Sequence, residues 1–269
     1  MNEEDKKFRT TAFRKILRLT GTAIHRYDMI HDGDRILVAV SGGKDSLMLL
    51  HVLEKLRQRA PVKFELVPVT FYPGFTEFNL EGLRSYLTEQ GWNLQVVSLD
   101  IPAVLADKGI TEQPCVLCSR LRRGHLYGAA DRWQCGKLAL GQHLDDLCIS
   151  LLIGLFRGQG LMTMGPNVAG DRDGKRIIRP FAMVPEALIR EAMTPFAFPS
   201  CGDCQYKVQL EQDGDRAFFK RMLADLEQRI PDVRQYMLHS MSDLRPEHLL
   251  DPRFLGRRSN ESATIPATE

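Results

Sequence analysis

A chain of 269 residues, 43% of them hydrophobic, can bury one substantial core and leave room for a small appended unit. No apolar run is long enough to span a bilayer, and the start MNEEDKKFRTT lacks the apolar stretch of a secretory signal, so a cytoplasmic address is expected. A net charge of +2 excludes a bulk polycation, and six cysteines point to metal, cluster or redox chemistry rather than a disulfide scaffold.

The charge is unevenly spread. Residues 6–27 hold seven Lys or Arg and no Asp or Glu, while Phe13, Ile16, Leu17, Thr20, Ile24 and Tyr27 recur at helical spacing. This predicts an amphipathic helix with a basic outer face, forming a unit over 1–30. The face reads either as a solvated surface or as a contact for a phosphate backbone through Arg14, Lys15 and Arg18.

From residue 35 onward apolar runs alternate with helical patterns. RILVAV (35–40) is a strand and SLMLLHVLEKLRQRA a helix; FELVPVTFY (64–72) is a second strand, followed by the helix GLRSYLTEQG, closed by Gly91. LQVVSL (94–99) is a third strand, and after a loop SRLRRGHLYGAADRW (119–133) is helical. KLALGQH (137–143) is a fourth strand and KRIIRPF (175–181) a fifth. Between those two, DDLCISLLIGLF (145–156) opens a helix with two acids in its first turn, where the helix dipole favours negative charge.

The alternation predicts an α/β fold, a doubly wound parallel sheet over 31–205. Past residue 207 only helical patterns remain, RAFFKRMLADLEQRI and VRQYMLHSMSDL, which predicts a helical extension over 206–255 before a polar, frayed tail at 256–269. Such sheets bind ligands outside the carboxyl ends of their strands, so the loops after RILVAV and KLALGQH form the ligand edge.

The first of those loops, VAVSGGKDS, is a glycine-rich turn opening a helix, a natural seat for an anion. It fits neither G-x-x-x-x-G-K-[ST] nor G-x-G-x-x-G. It resembles instead the PP-loop, S-G-G-x-D-S, of the N-type ATP pyrophosphatases, here Ser41, Gly42, Gly43, Lys44, Asp45 and Ser46. The resemblance implies cleavage of ATP between its α and β phosphates, with pyrophosphate as the leaving group. The residue types suit such a cleavage. Two glycines let backbone approach phosphate, Ser41 and Ser46 offer hydroxyls, Lys44 adds charge, and Asp45 can hold Mg²⁺. Gly141, Arg179 and Phe71 are further nucleotide candidates, although Phe71 reads equally well as core.

PCVLCSRLRRG carries Cys115 and Cys118, and PSCGDCQYK carries Cys201 and Cys204, with LALGQHLDD between them. A PP-loop, C-x-x-C, G-x-H-x-D-D and C-x-x-C in that order resemble the tRNA-cytidine 2-sulfurtransferases, a likeness running from about residue 10 to about 250. It implies thiolation of cytidine 32 in the anticodon loop, with tRNA, a sulfur donor such as a cysteine desulfurase and no membrane as the setting; a homodimer is the assembly it allows. The chemistry agrees, because oxygen leaves C2 of cytidine badly until adenylation turns it into AMP.

The family also implies a [4Fe–4S] cluster on three cysteines. Cys115 and Cys118 match two ligands, and the third is Cys204 or Cys201, with Cys204 favoured by the likeness of CQY to the C-x-Y of related thiouridine synthetases. A four-thiolate zinc site and thiol–disulfide exchange by Cys201 and Cys204 are the alternatives. His143 and Asp146, in GQHLDD, are candidates to orient the base or bind Mg²⁺; Asp145 and Asp146 also suit plain helix capping. Gln142 stands where the family more often has histidine. Arg120, Arg122 and Arg123 can meet phosphates of ATP or tRNA. Cys135 and Cys148 read as buried packing thiols. Two rival functions remain: the same chemistry on another tRNA base or a small molecule, and a PP-loop amide or lysine ligase with structural zinc.

Overall fold

The computed structural model describes residues 6–74, 77–109, 114–171, 174–202 and 214–254. The tail at 256–269 and Cys204 lie outside them, as do the side chains of Cys115, Cys118, Arg120 and Arg122. Six strands form one sheet in the order β3-β2-β1-β4-β6-β5: β1 is Asp34–Ala39, β2 Phe64–Tyr72, β3 Gln95–Ser98, β4 Lys137–Ala139, β5 Asn167–Ala169 and β6 Arg176–Ile178. All pairings are parallel except β5 with β6. The chain therefore winds outward from β1 through β2 to β3, then returns to lay β4 on the other side of β1.

Period-2 geometry explains why β1 can be apolar on both faces from Ile36 to Ala39. Ile36 and Val38 face one core, while Leu37, between them, faces the other; all three are fully buried. The first core holds α1 (Thr11–Arg26), α2 (Lys44–Arg57), α3 (Leu80–Glu89) and α7 (Glu186–Met193). The second holds Tyr127, Ala129 and Ala130 of α5 (Pro114–Arg132), with the short α4 (Ile101–Asp107) in a satellite cluster around Leu99. Outside these, α8 (Asp215–Arg229) and α9 (Val233–Ser242) pack Phe219, Leu223, Val233 and Leu238 on Leu144, Cys148 and Leu152 of α6 (Leu144–Phe156).

Several expected boundaries move. The fourth strand stops at Ala139, so Leu140 to His143 form a loop, and α5 begins at Pro114 rather than 119. β5, α4 and α7 are additional to the expected elements. A three-residue strand is too short to show a period, whereas α7 carries a signal in Leu188, Ile189 and Ala192, all buried behind Pro185.

The basic N-terminal helix forms as expected, capped by Thr10, whose Oγ1 accepts from the Phe13 amide at 3.2 Å. Its buried stripe is Ala12, Phe13, Ile16, Thr20 and Ala23, and the apolar members belong to the first core itself. Burying Phe13 and Ile16 contributes on the order of 2 kcal/mol each.

Phe13 stacks on Phe196 in an aromatic group that also encloses His51, whose Nε2 pairs with the Tyr86 hydroxyl at 2.7 Å. Burial, with Lys7 and Lys55 adding repulsion, pulls the His51 imidazole down to about 3. The unfolded chain thus takes up a proton near pH 6.5 that the folded chain refuses. Stability should fall as pH drops from about 6.5 to 3, at up to about 1.4 kcal/mol per pH unit from this residue alone. Urea unfolding of the wild type and His51→Phe across that range checks this; the variant's pH slope should be shallower by one proton.

Candidate active site

The reversal of strand order between β1 and β4 opens a crevice at their carboxyl ends, flanked by the loops 40–43 and 140–143. The two loops touch. A Cβ on Gly141 would stand 3.1 Å from the Asp45 carbonyl carbon and from the Ser46 nitrogen, so a side chain there would push the second loop a few tenths of an ångström off the first.

In the first loop Gly42 takes φ +82° and Gly43 caps α2 without a side chain, so no capping oxygen occupies the first-turn amides of that helix. Ser46 is buried and braces the turn: its hydroxyl donates to Gly43 O at 2.9 Å and accepts from the Ser41 amide at 3.1 Å, with Ser41 Oγ also 3.1 Å away. Lys44 Nζ donates to Asp45 Oδ2 at 2.9 Å and to Glu186 Oε1 at 3.0 Å. Burial would lower the Lys44 pKa, but Asp45 and Glu186 together raise it above the ordinary value. The ammonium is charged at neutral pH and available to an incoming phosphate.

Cys201 is the closest neighbour of this loop from another part of the chain. A Cβ on Gly42 would lie 2.7 Å from both Cβ and Sγ of Cys201. The segment is pinned there, with the Asn79 amide donating to Cys201 O at 2.9 Å and Asn79 Nδ2 to Ser200 O at 3.4 Å. Burial pushes the Cys201 thiol above its usual pKa, and among the described residues its Sγ makes a long 3.8 Å contact to Pro199 O. What sets Cys201 apart from a packing thiol is its place, a soft donor against the glycine loop, where a metal that displaced the proton could be held. Cys115 and Cys118 lie in the opening turns of α5, and their side chains fall outside the described residues. Among the described residues no three metal-ligating side chains converge.

In the second loop Gln142 Oε1 accepts from Arg179 Nε, and Arg179 Nη1 donates to Gly165 O at 2.5 Å. The substituted position therefore orients a buried arginine, whose pKa burial lowers, with Arg123 adding repulsion. His143 is buried, and among the described residues its Nδ1 has no hydrogen-bond partner, Asp145 Oδ2 standing 3.8 Å away. Asp146 Oδ2 accepts from the His143 amide at 3.2 Å, capping α6, while its Oδ1 pairs with Arg216. Asp145 is committed elsewhere: it accepts from the Glu186 amide at 2.7 Å and from Arg234 Nε at 2.5 Å. It therefore serves as a clamp between α6, α7 and α9.

Phe71 packs between the second core and the cluster around Leu99. Cys135 and Cys148 are fully buried, and burial, with Asp145 adding to it, pushes Cys148 up to about 12, so both behave as packing thiols. Arg123 is exposed. Arg14, Lys15 and Arg18 are also exposed, but α1 meets α2 where Gly21 lies against Leu56, about 18 Å of helix rise from Lys44. They stand apart from the crevice. Sequence reasoning missed Glu186, Arg190, Arg216, Lys220 and Arg234, which surround the acids of the site.

Loop and sheet together define a PP-loop protein, and the family model described as the PP-loop domain matches residues 10–195. The chain is 40% identical over 244 residues to the tRNA-cytidine(32) 2-sulfurtransferase of Geobacter sulfurreducens, covering 89% of this chain and 93% of that one. It is 38% identical over 240 residues to the enzyme of that name from Syntrophotalea carbinolica, covering 89% and 92%. Among solved structures it superposes on the U34-tRNA thiolase NcsA from Methanococcus maripaludis, a structure with its [4Fe–4S] cluster, with a TM-score of 0.70 at 19% identity over 86% of this chain and 78% of that one. The chain belongs to the tRNA-cytidine(32) 2-sulfurtransferase family of PP-loop proteins. No helix among the described residues is long and apolar enough to cross a membrane.

Proposed function

We propose that this chain is an ATP-dependent tRNA thiolase that adenylates O2 of cytidine 32 and replaces that oxygen with sulfur. The observation that carries the reading is the contact of Cys201 with Gly42, which sets a thiol of the second C-x-x-C against the nucleotide loop. Activation and sulfur transfer must act on one carbon, so their sites must adjoin.

In this reading Ser41, Gly42, Gly43, Lys44 and Ser46 hold the β and γ phosphates, and Asp45 binds Mg²⁺, a hard cation suited to a carboxylate oxygen. Arg179, held by Gln142, faces the nucleotide across the crevice, and Gly141 lets the two loops close on it. The cytidine O2 attacks the α phosphate and pyrophosphate leaves; a sulfur nucleophile then adds at C2, and the original oxygen departs within AMP. His143, whose Nδ1 has no hydrogen-bond partner among the described residues, and Asp146 orient the base. Cys115, Cys118 and one thiol of the Cys201–Cys204 pair would hold a [4Fe–4S] cluster, which when bound would carry sulfide taken from the donor to the activated base. The tRNA backbone meets Arg120, Arg122 and Arg123 beside the crevice and Arg14, Lys15 and Arg18 further out. A cysteine desulfurase is the proposed donor.

The test is product analysis. Air-protected enzyme with ATP, tRNA and a sulfide source should form AMP and pyrophosphate in step with 2-thiocytidine, and tRNA carrying uridine at position 32 should give neither. Release of ADP and orthophosphate, or thiolation elsewhere in the tRNA, would reject the reading.

A further inference from the structure

Glu186 opens α7, far in sequence from both ligand-edge loops, yet it joins them. Its Oε1 accepts from Lys44 Nζ at 3.0 Å and from Arg190 Nη2 at 2.9 Å, its Oε2 meets Lys220 Nζ at 3.1 Å, and its own amide donates to Asp145. The residue is 8% exposed. Burial alone would raise the pKa of its carboxyl, but the three cations hold it well below the usual carboxylate range, so it is an anion at any working pH. A buried charge this well surrounded has a defined place.

Lysine carries a compact charge on a flexible four-carbon stem, and fixing that stem when a ligand arrives costs affinity. Lys44 has two carboxylate holders, Asp45 and Glu186. Asp45 is the residue proposed to take Mg²⁺, and on doing so it must release the ammonium. Glu186 then remains as the anchor. We propose that Glu186 is a positioning residue of the nucleotide site, holding the Lys44 ammonium in the crevice for the phosphates of ATP, with Lys220 of α8 fixing the glutamate from behind. This rests on the ATP reading above. It also gives the C-terminal helices, which lie beyond the residues 10–195 of the PP-loop domain, a part in nucleotide binding.

A double-mutant cycle tests it on the full chain, with a non-hydrolysable ATP analogue and Mg²⁺ in a calorimeter. Glu186→Ala should weaken binding about tenfold where Lys44 is present and less than twofold in a Lys44→Ala background. Arg190 and Lys220 are more than half exposed and rehydrate in the variant; if it nevertheless unfolds, Glu186→Gln serves in the same cycle. Acylation of Lys44 by an amine reagent, followed by mass spectrometry, should quicken several-fold in either variant as the ammonium is freed. Equal losses in both backgrounds, or no loss with Lys44 present, would overturn the proposal. Hydrolysis of ATP to orthophosphate would reject the adenylation reading while leaving this coupling intact, and absent coupling in an enzyme that releases pyrophosphate would do the reverse.

Discussion

Cys118→Ala is expected to strip the protein of iron and reduce 2-thiocytidine formation by more than about 100-fold, while leaving ATP-analogue affinity within about twofold. A cluster held by three thiolates loses its seat when one is removed, because no neutral side chain replaces a soft anionic donor. Nucleotide binding should survive, since the loop at 41–46 is braced by its own serines and packed by Gly141. Iron and acid-labile sulfide analysis of anaerobically reconstituted protein, with nucleoside mass spectrometry of the tRNA, checks both halves. Full iron content in the variant would remove Cys118 from the ligand set, and stoichiometric zinc in the wild type would favour a structural site. Running Cys201→Ala and Cys204→Ala beside it identifies the third ligand as the one whose loss empties the site.

Gly42→Ala should cost at least about 100-fold in pyrophosphate release, for two independent reasons. A side chain at φ +82° carries a strain of about 1–2 kcal/mol. The added methyl would also lie 2.7 Å from Cβ and Sγ of Cys201, and that segment has little freedom to retreat. Asn79 grips the Ser200 and Cys201 carbonyls, and on the far side Gly202 lies so close to Glu77 O that a Cβ there would fall 1.9 Å from it. Either the phosphate loop or the cysteine segment must deform. Removing only the sulfur, in Gly42→Ala/Cys201→Ala, should not restore turnover, because the Cβ contact and the backbone strain persist. Activity of the single variant within threefold of wild type would show that the loop tolerates a side chain, and that Cys201 does not bear on it.

Legibility differed between the fold and the site. The strand–helix alternation was readable because each element writes its period locally: 36–38 as an unbroken apolar run, and α1 as a stripe at Phe13, Ile16 and Thr20. Thr20 on that stripe is buried with no partner for its hydroxyl among the described residues, so the pattern held even where the residue type argued against it. Asp145 and Asp146 looked alike in a first helical turn. Only packing separated them, one into a clamp on Glu186 and Arg234, the other into a cap paired with Arg216.

By itself, the order of residues in the chain determined the parallel α/β frame and the PP-loop at Ser41 to Ser46 on a carboxyl edge of the sheet. Those features depend on neighbours within a few residues, where steric and hydrogen-bonding rules act directly. Tertiary structure alone decided that Cys201 rests on Gly42, that Gln142 holds Arg179, and that Glu186 and Lys220 close around Lys44. These contacts join segments far apart in sequence, and side-chain charge or size carries no record of which distant partner the packing of α7 and α8 will deliver.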